Sequence, residues 1–133
     1  MVEGVSHITF IVKDLERATA FFTAIFNAEQ VYDSQDKMFS LSSERFFIIG
    51  GQWIAIMEGE PLLERTYNHV AFKIRDEEFA EYEARVQALG VDVKPPRPRV
   101  AGEGRSLYFY DHDNHLFELH TGNLADRLAH YAR

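Results

Sequence analysis

The chain has 133 residues, no cysteine and a net charge of −7, a length suited to one compact domain or to two small halves sharing a core. The lack of cysteine excludes disulfides, thiolate metal sites and a cysteine nucleophile, so any metal must be held by nitrogen and oxygen. The acidic balance argues against a general nucleic-acid binder, and with no basic leader and no apolar run of about 18 residues a soluble, cytoplasmic protein with no membrane partner is expected.

Residues 7–12 alternate, with His7, Thr9 and Ile11 on one side and Ile8, Phe10 and Val12 on the other, the pattern of a half-buried strand. Asp14 is placed to cap a helix whose apolar face carries Leu15, Ala18, Phe22, Ile25 and Phe26. Strand-like runs follow at 29–33, 37–42, 46–50 and 53–58. The opening then recurs: His7, Phe10 and Asp14 return 62 residues on (7 to 69, 10 to 72, 14 to 76) as His69, Phe72 and Asp76. Ile8/Val70, Val12/Ile74 and Lys13/Arg75 are close matches between them. Asp76 is expected to cap a second helix with Phe79, Tyr82, Val86 and Leu89 as its stripe and Gly90 just past its end. Further strands are expected at 91–94, 106–111 and 115–120, with Pro95, Pro96 and Pro98 marking an irregular loop, and a last helix at 123–131.

The repeat sets the fold class: α+β, with duplicated βαβββ modules (repeat 1 about 4–60, repeat 2 about 66–121) forming a curved mixed sheet around a metal-binding cavity, plus a C-terminal helix. Each half alone, with one sheet face exposed, is marginal, so the halves are expected to share one domain and to enclose a cavity.

Alternation turns His7 and His69 away from the apolar layer, and two equivalent histidines suit the gripping of one metal ion. A third donor is sought on 115–120. There Phe117 and Leu119 belong to the apolar side, and Leu116, Glu118 and His120 to the other. A carboxylate among apolar strand residues is costly unless paired or metal-bound, which favours Glu118. Two histidines and one carboxylate with open positions suit Fe(II) or Mn(II). His112 and His115 read as turn residues and His130 as helix surface, while His120 has no partner of its own. Arg97, Arg99 and Arg105 lie within nine residues and offer a local positive pocket for a small anion.

The segments Gly4-Val5-Ser6-His7-Ile8-Thr9, Tyr67-Asn68-His69-Val70-Ala71-Phe72 and Glu103-Gly104-Arg105-Ser106-Leu107-Tyr108-Phe109 resemble the fosfomycin-resistance proteins of the vicinal oxygen chelate superfamily, most closely the FosX branch that adds water to the epoxide. The resemblance implies that His7, His69 and Glu118 hold Mn(II). It implies a homodimer whose metal site is shared, His7 coming from one chain and the other two ligands from its partner. It makes Glu44 the general base and puts Thr9, Tyr67, Arg99, Ser106, Tyr108 and Arg127 at the substrate. Thiol-transferring relatives carry a lysine where this chain has Pro98 between Arg97 and Arg99. Arg105 falls in the loop that helps hold potassium in glutathione-using relatives, and is a built-in cation there.

The expected function is Mn(II)-dependent hydrolysis of the fosfomycin epoxide to a diol, conferring resistance. The alternatives are a glutathione-type thiol transferase opening the same epoxide, or a superfamily hydrolase or dioxygenase with another substrate. Glu44 favours water, because a thiol ionises readily whereas water needs a base beside it. Four-ligand relatives would need one more donor from the first half, where only Glu58 comes into question.

Overall fold

The computed structural model describes residues 1–96, 99 and 102–132; Arg97 and Pro98 of the arginine-rich loop lie outside the described residues. Two compact units emerge, Met1–Glu64 with His112–Asn114, and Arg65–Asp111 with His115–Arg133. Among the described residues no helix is long and apolar enough to cross a membrane.

In the first unit β1 (His7–Val12) runs into α1 (Leu15–Phe26), followed by β2 (Glu29–Asp33), β3 (Glu44–Ile49) and β4 (Gln52–Glu58). The Asp14 side chain accepts from the Arg17 N–H at 3.0 Å and starts α1, and Asn27, left-handed at φ 53°, ends it. Asp14→Ala is expected to lose about 1 kcal/mol of stability, read as a lower urea midpoint at unchanged slope. The helix buries Ala18, Phe21, Phe22, Ile25 and Phe26. Phe22 sits at the centre, 6.0 Å from Phe10 on β1 and 5.9 Å from Phe47 on β3 between ring centroids. Phe21 belongs to this face although the periodicity alone favoured Leu15, which is half-buried.

The sheet has the order β1-β4-β3-β2, with β1 parallel to β4 and the other pairs antiparallel. The expected strand at 37–42 is absent. Met38, Phe39 and Leu41 are 60, 75 and 90% exposed. Ser34 closes the base of that loop: its N–H donates to the Glu44 carbonyl at 3.0 Å and its hydroxyl accepts from the Glu44 N–H at 2.9 Å. With those backbone groups tied to each other, the chain between them bulges out, and β3 begins at Glu44 rather than at 46.

The second unit repeats the plan with β5 (His69–Lys73), a 3-10 turn (Asp76–Glu78), α2 (Phe79–Leu89), β6 (Val93–Lys94), β7 (Ser106–Tyr110) and β8 (Leu116–His120), and ends in α3 (Leu124–Tyr131). Its sheet order is β5-β8-β7-β6, again with the outer pair β5/β8 parallel. Phe109 and Phe117 stack at 6.2 Å beneath it, fully buried. Asp76 does not cap α2. Its carboxylate is taken by Arg105 Nε at 2.9 Å, and Arg105 Nη2 also donates to the Asp76 carbonyl at 2.8 Å. An ion pair with a guanidinium outcompetes a cap, so the helix begins with an uncapped 3-10 turn. Gly90 does end α2 in the left-handed region, at φ 70°. Asn123 accepts from the Asp126 N–H at 2.8 Å and starts α3.

The registers of the two sheets correspond position by position. His7, Trp53 and Ile48 form one row of the first sheet, Thr9, Ala55 and Phe46 the next, and Ile11, Met57 and Glu44 the third. The matching rows of the second sheet are His69, Leu116 and Tyr110; Ala71, Glu118 and Tyr108; Lys73, His120 and Ser106. Glu118 therefore has Ala55 as its counterpart, and Ser106 has Glu44.

Candidate metal centre

The second unit brings one predicted pair of donors together. His69 Nε2 stands 3.0 Å from Glu118 Oε1. His69 ends the exposed side of β5, and Glu118, only 5% exposed, lies on the same face of the neighbouring β8. The other ring nitrogen, His69 Nδ1, is 2.7 Å from the Tyr67 carbonyl. A carbonyl only accepts, so Nδ1 carries a proton, and it is Nε2 that faces the carboxylate. A nitrogen and a carboxylate oxygen at that distance share a cation, either a proton on Nε2 or a metal ion between them. Donors about 2.1 Å from one ion and at right angles to each other stand roughly 3.0 Å apart, so the pair fits two adjacent sites of an octahedral ion such as Mn(II). The carbonyl behind His69 is the support that metal-bound histidines ordinarily have.

The pair opens on a cavity of about 370 Å³ lined by His69, Glu118, His120 and Arg127, among others. Tyr67 and Tyr108 flank His69: its ring packs edge-on against Tyr108 at 5.4 Å, and Tyr67 lies 4.9 Å from His69 and 5.8 Å from Tyr108. Burial, then the hydrogen bond with Tyr67 and the charge of Glu118, push the Tyr108 hydroxyl above its usual range, so it stays protonated as a donor. Arg99 Nη1 is paired with buried Glu103 at 3.0 Å, and its Nη2 lies 4.0 Å from Glu118 Oε2. Arg99, Arg127 and Lys73 gather cations in an acidic chain, which suits an anionic ligand. Arg105 stands apart, spent on Asp76 and stacked 4.3 Å over Phe79.

His120, a histidine without a partner on the sequence alone, lines the same cavity. Its Nδ1 is 2.7 Å from Ser106 Oγ and 3.2 Å from Glu118 Oε2, and its Nε2 is 3.4 Å from Arg127 Nη2. Burial first, then Arg127, Arg99 and Lys73, lower its pKa, while Glu118 opposes them, so the ring is neutral. The signal was there in the alternation, which put His120 on the face of Glu118. Ser106, for its part, has its hydroxyl engaged by Glu118 and His120 rather than free.

The first unit carries His7, Thr9 and Glu44 on one sheet face, in three successive rows rather than in contact. His7 stacks on Trp53 at 4.2 Å and shares a hydrogen bond with Ser6 through Nδ1 at 3.0 Å. Glu44 is 7% exposed rather than solvated in a turn. Among the described residues its carboxylate has no hydrogen-bond or ion-pair partner. Glu58 pairs with Val12 and so faces away from His7; the counterpart of Glu118 is the methyl of Ala55, which cannot ligate. Among the described residues no group of three or more His, Asp or Glu side chains gathers closely enough to hold a metal ion.

A duplicated βαβββ fold bearing such a histidine–glutamate pair defines a class, and the model of the Glyoxalase/Bleomycin resistance protein/Dioxygenase superfamily matches residues 4–119. The fosfomycin resistance protein FosX of Listeria monocytogenes is 62% identical over 131 residues, 98% of each chain. FosX of Mesorhizobium japonicum is 61% identical over 133 residues, all of this chain and 96% of the relative. A crystal structure of a mutant Listeria monocytogenes FosX, complexed with Mn(II) and 1S,2S-dihydroxypropylphosphonic acid, superposes with a TM-score of 0.92 at 61% identity, covering 98% of this chain and 99% of that one. The chain belongs to this superfamily and, within it, to the FosX family of fosfomycin-resistance proteins.

Proposed function

We propose that the protein inactivates fosfomycin by adding water to its epoxide, giving the vicinal diol, with Mn(II) as cofactor. The observation that carries this reading is the His69–Glu118 pair, Nε2 and a carboxylate oxygen 3.0 Å apart with the histidine's other nitrogen already committed. The relative that holds Mn(II) together with a dihydroxypropylphosphonic acid supports the same reading.

His69 and Glu118 hold the ion, and His7 of a second copy in a homodimer supplies the third protein ligand. With Ala55 at the repeat position that matches Glu118, the first unit offers no carboxylate there as a fourth protein ligand. When bound, Mn(II) supplies Lewis acidity toward the epoxide and phosphonate oxygens. The guanidinium groups of Arg99 and Arg127 and the hydroxyls of Thr9, Tyr67 and Tyr108 bind and orient the phosphonate. Ser106 sits beside them with its hydroxyl shared between Glu118 and His120. Glu44 takes a proton from water as the water oxygen bonds to an epoxide carbon and that carbon's bond to the ring oxygen breaks. The released oxygen is protonated from solvent, which completes the diol.

Phosphorus NMR of fosfomycin incubated with the protein and Mn(II), with and without glutathione, tests this. A diol formed without thiol is the expected result. A product that requires glutathione would move the protein to the thiol transferases, and no product would remove fosfomycin as substrate.

A further inference from the structure

The geometry points to a one-way chain of hydrogen bonds, Arg127 to His120 to Ser106 to Glu118, that selects which oxygen of Glu118 serves as the metal ligand. This rests on the metal-site reading above and assigns His120 and Ser106 as positioning residues within it.

The direction of each link follows from donor and acceptor chemistry. A guanidinium has only donors, so at 3.4 Å Arg127 Nη2 donates and His120 Nε2 accepts. A proton on Nε2 would face those N–H groups, so the proton of the ring is on Nδ1. From there it points to Ser106 Oγ at 2.7 Å. Having accepted, the Ser106 hydroxyl spends its own proton on Glu118 Oε2 at 2.5 Å. Oε2 is thereby satisfied, with Arg99 Nη2 a further 4.0 Å away. Oε1 is left facing His69 Nε2 at 3.0 Å.

The four residues come from three elements, α3, β8 and β7, so the chain also locks the C-terminal helix to the sheet that carries the ligand. Gly122 helps to seat it: a Cβ there would meet His120 Nε2 at 2.8 Å and the Glu103 carbonyl oxygen at 2.5 Å. Ser106, with its proton committed, presents a lone pair to an incoming phosphonate and so steadies the ligand rather than binding the anion.

Two measurements test the chain. Nitrogen-15 NMR of the metal-free protein, with His120 assigned by the signal lost in H120N, is expected to show the Nδ1–H tautomer, the less favoured form of a free imidazole. The Nε2–H tautomer would overturn the proposal. Manganese EPR titration of wild type, H120A, H120N, S106A and the double variant H120A/S106A then reads the effect on the ligand. H120A and S106A are each expected to weaken Mn(II) binding about 10- to 100-fold, and the double variant no more than the weaker single, because both cut one chain. H120N, whose amide N–H reaches the Nδ1 position, is expected to bind close to wild type. Additive losses, unchanged binding in H120A, or an H120N as weak as H120A would each overturn the chain. Should H120A not fold, the tautomer and H120N still decide. Wild type that binds no Mn(II) would bring down the metal reading and the chain with it, whereas wild-type binding with unaffected variants brings down the chain alone.

Discussion

Glu44→Gln is expected to lose about 10²- to 10⁴-fold of the rate of epoxide hydrolysis, the usual worth of a positioned general base, while binding Mn(II) as the parent does. The substitution keeps the shape of the side chain and removes only its ability to take a proton. Glu44 is 7% exposed and has no partner among the described residues to compensate its charge. A buried carboxylate in that state opposes folding, so the variant is expected to melt at the same temperature as the parent or higher. A residue whose removal costs rate and not stability serves chemistry. The register supports the same conclusion. Glu44 occupies in the first sheet the position that Ser106 occupies in the second, and Ser106 touches the Glu118 carboxylate. The supports of the His69–Glu118 pair, the Tyr67 carbonyl and Ser106, do not involve Glu44, which is why metal binding is expected to survive. Rate measurements by phosphorus NMR beside manganese EPR separate the outcomes. Full activity would take Glu44 out of the mechanism, and loss of Mn(II) together with activity would make it a structural residue.

His69→Ala is expected to weaken Mn(II) binding by more than about 100-fold, since loss of a ligand exceeds the loss of a ligand's support, and to abolish hydrolysis with it. The fold should survive. His69 is an exposed strand residue, and the packing of its strand lies on the other face, where Val70 and Phe72 point inward. Without metal the variant's thermal midpoint is therefore expected near that of the parent. The parent is expected to gain stability on adding Mn(II), because a ligand that binds only the folded state stabilises it by mass action, and the variant to gain none. A variant that still binds Mn(II) tightly and is stabilised by it would show that the ion sits elsewhere.

The facing of His69 and Glu118 was legible because it depends on a local rule. Strand side chains alternate, so His7 and His69 had to face away from Phe10 and Phe72, and Glu118 away from Phe117 and Leu119, whatever the rest of the chain did. The recurrence of His, Phe and Asp 62 residues apart (7 to 69, 10 to 72, 14 to 76) made the second half readable from the first. Where the structure departs from the local pattern, a distant group intervenes. Met38, Phe39 and Leu41 looked like a strand, but Ser34 and Glu44 had already closed the loop around them. Asp76 had the position of a cap, as Asp14 does, but Arg105 claimed its carboxylate. His120 looked like a spare histidine until Ser106 and Arg127 were beside it.

The sequence by itself thus determined the repeat, the chemistry of the donors and the face on which each lies, because composition and side-chain period act within a few residues. The tertiary structure alone decided that Glu44 is buried with no partner for its carboxylate among the described residues, that Ala55 is the register counterpart of Glu118, and that Glu118 turns Oε2 to Ser106 and Oε1 to His69. Those facts depend on the register between strands and on hydrogen bonds joining β7, β8 and α3, and a pattern that repeats along one strand carries no information about which residue of another strand will lie beside it.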